Sequence, residues 1–324
     1  MKRISIGSWA YTIGPYQNQP VDWDTVVNKL AEYHFDGVEL GAFPPHPNPH
    51  DLSSPVARQE TVAQMRLKGL AFSGMAPDLW DQKLANTNDH GPYIKAFTRY
   101  CDLAQELGIK LIRVDTVQPP EILADFSEAA VLERVTTAWE ECAKIAADRG
   151  LVMSWEFEPG FVLNTPKDIL NVLERIDALN FGVLYDTCHG QTVSVLGARQ
   201  FGHRSRLAGG QAELIKMLSG RINHIHLIDN DNTLHRDANG HEETSSHVPF
   251  GQGVIDFDRI IPLLNEHAPL ADDWWTIDLC FWPDPWPATE RCKQFVDEQN
   301  RKYGSDSASK QEHVPVGIEG TLTE

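Results

Sequence analysis

The sequence predicts a (β/α)₈ barrel occupying residues 1–304 as one domain, and three features of the chain predict it. Eight short apolar runs alternate with amphipathic helical stretches. The length of 324 residues suits one barrel. No glycine-rich phosphate turn follows the first run, where Ile6 to Ala10 read IGSWA rather than GxGxxG. That last point sets aside the alternative, an open doubly wound sheet.

The apolar runs fall at 4–11, 37–41, 70–76, 111–116, 152–158, 181–187, 222–229 and 274–280. Helical patterns lie at 23–33, 56–68, 93–107, 131–149, 166–178, 211–218, 257–266 and 288–303. The sixth run, from Phe181 to Tyr185, is almost wholly apolar, as suits a strand buried on both faces. In the fourth helix Val131, Val135, Ala138, Cys142 and Ile145 form one stripe at helical spacing. Pro166 after Thr165 reads as the first helical position behind a threonine cap. Two stretches depart from the rhythm. Residues 42–50 carry four prolines that would hold His46 and His50 over the barrel mouth, to touch substrate or simply to stiffen a surface loop. Residues 189–210 carry Arg199, His203, Arg204 and Arg206, either a cationic lid over a polyhydroxyl or anionic substrate or a solvated excursion. The tail from Ser305 to Glu324 is polar and without periodicity, which reads as disorder or as a segment that docks on a partner.

Composition narrows the function. The net charge of −18 would repel a nucleic-acid backbone, so no nucleic-acid partner is expected. The five cysteines show neither CxxC nor framework spacing and read as reduced thiols of a cytoplasmic protein. No apolar run approaches membrane-spanning length, and Met1 to Ile6 lack the apolar stretch of a signal peptide.

In such a barrel chemistry sits at the carboxyl ends of the strands. The fifth run ends in Glu156 and Glu158, which alternation puts on one face. Two inward carboxylates ask for a metal, an arginine or a shared proton. Glu158 is expected at the mouth, and Glu156 one layer deeper, near substrate or bonded to barrel cations. Asp186 ends the sixth run, with His189 in the next turn. The seventh run gives His226 as a ligand candidate and His224 deeper behind it, and the eighth gives Asp278. Glu158, Asp186, His226 and Asp278 thus come from four neighbouring strands spaced about 4.8 Å apart, close enough to converge on one ion. Three carboxylates and one imidazole suit Mn²⁺, with Mg²⁺ or Co²⁺ as alternatives, better than structural zinc.

The motifs WEFEPG (155–160), DTCH (186–189), HIHLID (224–229) and PFGQGVIDF (249–257), with SWAY (8–11) and DGVELG (36–41), resemble the xylose-isomerase-like superfamily of sugar isomerases and epimerases over residues 4–300. The resemblance implies one divalent metal held by Glu158, Asp186, His226 and the eighth-strand acid, and His189 on a substrate oxygen. That acid is usually Glu; Asp278 is one methylene shorter, which bears on whether two bases are used. The expected function is sugar isomerisation or epimerisation by proton abstraction next to a carbonyl through a metal-stabilised enediolate. Glu158, His189 and Asp278 are the expected catalytic groups, and His46, His50, Glu156, His189, Arg199 and His224 the substrate contacts. The alternative is a lyase of the same superfamily that cleaves 3-keto-glycosides, including C-glycosides, by the same abstraction followed by β-elimination. It would work with a small second subunit; otherwise a homo-oligomer is expected. The aromatic end of the eighth run (Phe281, Trp282, Trp286) suits a bulky aglycone. A non-catalytic sugar-binding barrel is the remaining reading.

Overall fold

The computed structural model describes residues 1–237 and 239–304; the tail expected at 305–324 lies outside the described residues. Eight parallel strands form one sheet: β1 (Arg3–Ile6), β2 (Gly37–Ala42), β3 (Ala71–Pro77), β4 (Leu111–Val114), β5 (Val152–Glu156), β6 (Phe181–Asp186), β7 (Ile222–Leu227) and β10 (Trp274–Ile277). Their order is β1-β10-β7-β6-β5-β4-β3-β2. A single parallel bridge between Gly7 and Glu39 brings the two outer strands together and nearly closes the barrel. The helices between strands are α1 (Trp23–Glu32), α2 (Pro55–Leu67), α3 (Gly91–Leu107), α4 (Glu128–Ala147), α5 (Pro166–Arg175), α7 (Gly210–Met217) and α8 (Phe257–His267), with α9 (Pro285–Tyr303) last.

Local chemistry starts these helices where the sequence marks them. Thr165 and Asp168 form a reciprocal capping box with Pro166 at the first position of α5. Asp22, Ser54, Ser127 and Asp256 accept backbone N–H groups at four other helix starts. Residues facing out of the sheet pack under the helices, as where the Trp139 and Trp155 rings meet at 5.5 Å. Residues facing into the barrel are largely polar yet buried: Ser5, Glu39, Arg113, Glu156, His224, His226 and Thr276. A polar interior persists only where its groups satisfy one another or a ligand, so it marks where function sits.

Several strands end earlier than the apolar runs suggest. After β1 the chain turns into a 3₁₀ helix over Ser8–Tyr11, β5 stops at Glu156, β7 at Leu227 and β10 at Ile277. Two excursions cross the mouth. The expected lid region begins as the short helix α6 (Thr187–Gln191) and continues through a π turn over Thr192–Leu196. Between β7 and α8 stands a hairpin that the runs did not predict, β8 (Leu234–Arg236) against β9 (Glu242–Ser245). Among the described residues no helix is long and apolar enough to cross a membrane.

Candidate active site

The polar interior is built upward from Glu39 on β2. Its Oε2 accepts Nε2–H of His224 and Nε2–H of His226, each at 2.9 Å. His224 also donates Nδ1–H to Asp272 at 2.7 Å. With both nitrogens donating to carboxylates, His224 is an imidazolium; burial works against the charge, but Asp272 and Glu39 raise its pKa to about 9. His226 uses Nε2 on Glu39, so in its neutral form the Nδ1 lone pair faces the mouth.

Around that nitrogen stand three carboxylates. Glu156 Oε1 lies 3.1 Å from His226 Nδ1 and Asp278 Oδ2 lies 3.4 Å from it. Asp186, whose Oδ1 caps α6 by accepting the His189 N–H at 2.8 Å, is the third. One ligand-capable atom from each of Glu156, Asp186, His226 and Asp278 lies within 4.8 Å of the other three. The sequence put Glu158 in this group; the structure brings Glu156 instead. The cause is that β5 ends at Glu156, after which the Glu158 N–H turns back onto the Glu156 carbonyl at 3.1 Å. Strand alternation therefore does not extend to Glu158.

These residues fit a cation. His226 Nδ1, Glu156 Oε1 and Asp186 Oδ2 are buried and make no hydrogen bond, an arrangement that costs free energy unless something of opposite character sits among them. The electrostatics agree. Burial, and then Asp278 and Glu156, push Asp186 well above the usual carboxylate range. Burial opposes ionisation of Glu156 and Asp278 too, but Arg113 beside the first and His247 with His226 beside the second hold both below it. Trp9 fixes Asp278 by donating Nε1–H to Oδ1 at 2.6 Å.

Glu158 lies just above, at the wall of a cavity of about 820 Å³ that Trp9, Arg113, His189, Arg199, His247 and Asp278 also line. Burial and the neighbouring Glu156 push its carboxyl well above the usual range. Arg113 is 3.6 Å from it and also pairs with Glu156. Thr244 on the hairpin donates to its Oε2 at 3.2 Å. His189 Nε2 faces that oxygen at 3.9 Å, and burial with His247 nearby lowers the His189 pKa to about 3, leaving the ring neutral. A larger cavity of about 1340 Å³ opens at the other end of the barrel, beside Arg3, Lys110 and Trp274. Of the groups above, Asp272 alone lines it, so chemistry rather than size picks out the site.

Four expected substrate contacts are placed elsewhere or otherwise engaged. His46 is buried, bonded through Nε2 to the Val21 carbonyl at 3.1 Å and through Nδ1 to Ser8 Oγ at 3.0 Å, under the ring of Trp23. It fixes the proline loop from beneath. The His50 side chain is 92% exposed beside Asp51 and lies off the cavity. His224 lies a layer below the mouth, and Glu156 stands in the cluster with Asp186, His226 and Asp278. Arg199 does reach the cavity rim, where it pairs with both oxygens of Glu121 at 2.8 and 2.9 Å and donates to the Glu242 carbonyl. Sequence reasoning missed Glu39, Arg113, Trp9 and His247. An arginine inside the apolar fourth run was a readable signal for Arg113; His247, on an unpredicted hairpin, had none.

A family model described as "Xylose isomerase-like TIM barrel" matches residues 27–291. The chain belongs to that family. It is 23% identical over 254 residues to an uncharacterized protein of Methanocaldococcus jannaschii, covering 76% of each chain. Among solved structures it resembles a D-tagatose 3-epimerase-like protein with a TM-score of 0.68 at 20% identity, covering 93% of this chain and 99% of that one. It also resembles the IOLI protein, solved with a bound zinc atom, with a TM-score of 0.69 at 15% identity, covering 94% of this chain and 100% of that one. At these identities the structural likeness shows the shared fold.

Proposed function

We propose that this member of the family is a divalent-metal-dependent enzyme that isomerises or epimerises a sugar by removing a proton next to its carbonyl. The observation that carries this reading is the convergence of buried, unbonded Glu156, Asp186 and His226 atoms with Asp278 beneath an open cavity. Epimerase-like and zinc-bound structures with the same fold support it. Glu156, Asp186, His226 and Asp278 would hold the ion, Mn²⁺ by the donor set and Co²⁺ or Mg²⁺ as alternatives. When bound, such an ion supplies Lewis acidity at a carbonyl oxygen.

The chain's own residues divide the remaining work. Glu158 moves the proton: its raised pKa brings it toward the working range of a general base, and it lines the cavity without belonging to the ligand group. Arg113 limits that rise and fixes the carboxylate. Neutral His189 addresses a hydroxyl on the same side. Trp9 holds Asp278 toward the ligand group, which leaves it poorly placed as a second base.

A second reading, a lyase acting on a 3-keto-glycoside, is favoured by the size and lining of the cavity. At about 820 Å³, with Trp9, Phe43, Trp80, Phe161 and Phe281 around it, it falls in the range of roughly 300–1,000 Å³ that holds drug-sized ligands. Elimination needs only one base.

The test is solvent deuterium exchange into a panel of ketoses and 3-keto-glycosides by Mn²⁺-loaded protein. Glu158→Gln should keep its metal and lose exchange by about 10²-fold or more, whereas His226→Ala should lose the metal while retaining its circular dichroism. Exchange at the wild-type rate in Glu158→Gln would place the base elsewhere. Full metal occupancy in His226→Ala would end the ligand assignment.

A further inference from the structure

His247 follows hairpin strand β9 by two residues, outside the four strand ends that gather the ligand group. Its Nδ1 lies 2.9 Å from the backbone carbonyl of Ser245. A carbonyl only accepts, so Nδ1 carries a proton, and Nε2 is the nitrogen through which the ring could hold a cation. That Nε2 is buried, makes no hydrogen bond and lies 3.7 Å from Asp278 Oδ2. Ligand-capable atoms of Asp186, His189 and His247 also lie within 4.8 Å of one another. His247 therefore faces two of the three ligand carboxylates, Asp278 and Asp186, with its Nε2 unbonded. The opposite side of Asp278 is already engaged, since its Oδ1 accepts the Trp9 indole.

We infer that His247 is a fifth ligand of the cation, delivered by the hairpin rather than by the barrel. The inference rests on the metal-centre reading above. It gives the centre two imidazoles, which shifts preference from Mg²⁺ toward softer first-row ions such as Co²⁺ and Zn²⁺. It also ties the hairpin, and with it Thr244 on Glu158 and Ser245 on His189, to the state of the metal.

The test uses chelator-stripped full-length protein titrated with Co²⁺ and followed by its visible absorption, with Zn²⁺ and Mg²⁺ affinities from calorimetry. His247→Ala should weaken Co²⁺ binding by about 10-fold or more, comparable to losses elsewhere at metal sites. It should also move the Co²⁺ bands and narrow the preference for Zn²⁺ over Mg²⁺. His247→Gln, which keeps bulk and supplies an oxygen donor, should regain Mg²⁺ binding without regaining the Zn²⁺ preference; it also serves should the alanine variant fold poorly. Wild-type bands and affinities in both variants would overturn the fifth ligand while leaving the four-residue centre intact. Wild-type protein that binds no Co²⁺ would overturn both.

Discussion

Glu39 governs this site without touching the cavity. It is fully buried, and its ionisation is disfavoured by burial, yet His226 and His224 hold its pKa far below the usual range. One carboxylate oxygen thus fixes the tautomer of His226 and stabilises the imidazolium of His224. Replacing Glu39 with Gln removes the charge while keeping the shape, leaving Asp272 as the remaining charged partner of His224. Breaking a buried charge pair costs on the order of 3–5 kcal/mol, and loss of a partner behind a metal ligand weakens metal binding by about 10–100-fold. Urea denaturation and metal titration of Glu39→Gln should show both losses. Unchanged midpoint and affinity would mean that the His224–Glu39–His226 chain is incidental. Residue-level reading of the sequence singled out Asp186, His226 and Asp278, which the structure gathers with Glu156, because each sits at or beside a strand end. It put Glu158 at the mouth with them and Glu156 a layer deeper, whereas Glu156 is the one gathered with all three, because no local signal tells where a buried strand stops. It passed over Glu39 because an acid inside a glycine-flanked apolar run reveals neither its facing nor its partners until the barrel closes.

At the scale of elements, the barrel was legible because parallel strands buried on both faces make apolar runs, and capping residues mark where helices begin. The loops were not, because their conformations are set by contacts distant in sequence. The segment after the hairpin is an instance. Asp229, just past β7, accepts N–H groups of Asn230, Gly251, Gly253 and Ile255 at 2.9 to 3.1 Å. A single carboxylate thereby ties residues 251–255 to the strand end and fixes the far side of the loop that carries His247. Gly253 is required for this: a Cβ there would stand 2.2 Å from Asp229 Oδ1, and that oxygen is held by two backbone donors and cannot swing aside. Gly253→Ala and Asp229→Asn should therefore loosen the same segment, each leaving N–H groups short of a partner at about 1–3 kcal/mol. Hydrogen exchange should accelerate at residues 251, 253 and 255 in both variants while the amides of β5 and β6 stay protected. Protection retained at those three amides would show that the clamp is redundant.

Across the whole molecule, the carboxylates crowded into the barrel mouth link stability, pH and metal. In the folded, metal-free chain Asp186 and Glu158 sit well above the carboxylate range, through burial first and neighbouring acids second. His226 sits well above the imidazole range, because Glu39, Asp278 and Glu156 outweigh burial. Each group keeps its proton in the fold at a pH where the unfolded chain has released it, so the fold binds more protons and loses stability as pH rises. The decline starts near the unfolded values, about 4 for the acids and about 6.5 for histidine, and the share from His224 disappears as pH passes its folded pKa of about 9. Glu39, Glu156 and Asp278 act oppositely: held below the carboxylate range despite burial, they stabilise above it and lose that contribution as pH falls. Metal-free protein should thus be most stable at mildly acidic pH and weaken steadily toward alkaline pH. A cation among the same ligands takes over the role of the protons, which must leave when it binds. Melting temperatures measured from about pH 5 to pH 9, with chelator and with Mn²⁺, should diverge as pH rises, the loaded protein giving the flatter curve. Calorimetric titration of Mn²⁺ in two buffers of different ionisation enthalpy should register protons released at neutral pH. Parallel melting curves together with no buffer dependence would mean that the acids and His226 hold no exchangeable protons at the centre, and the ligand assignment would fail with them.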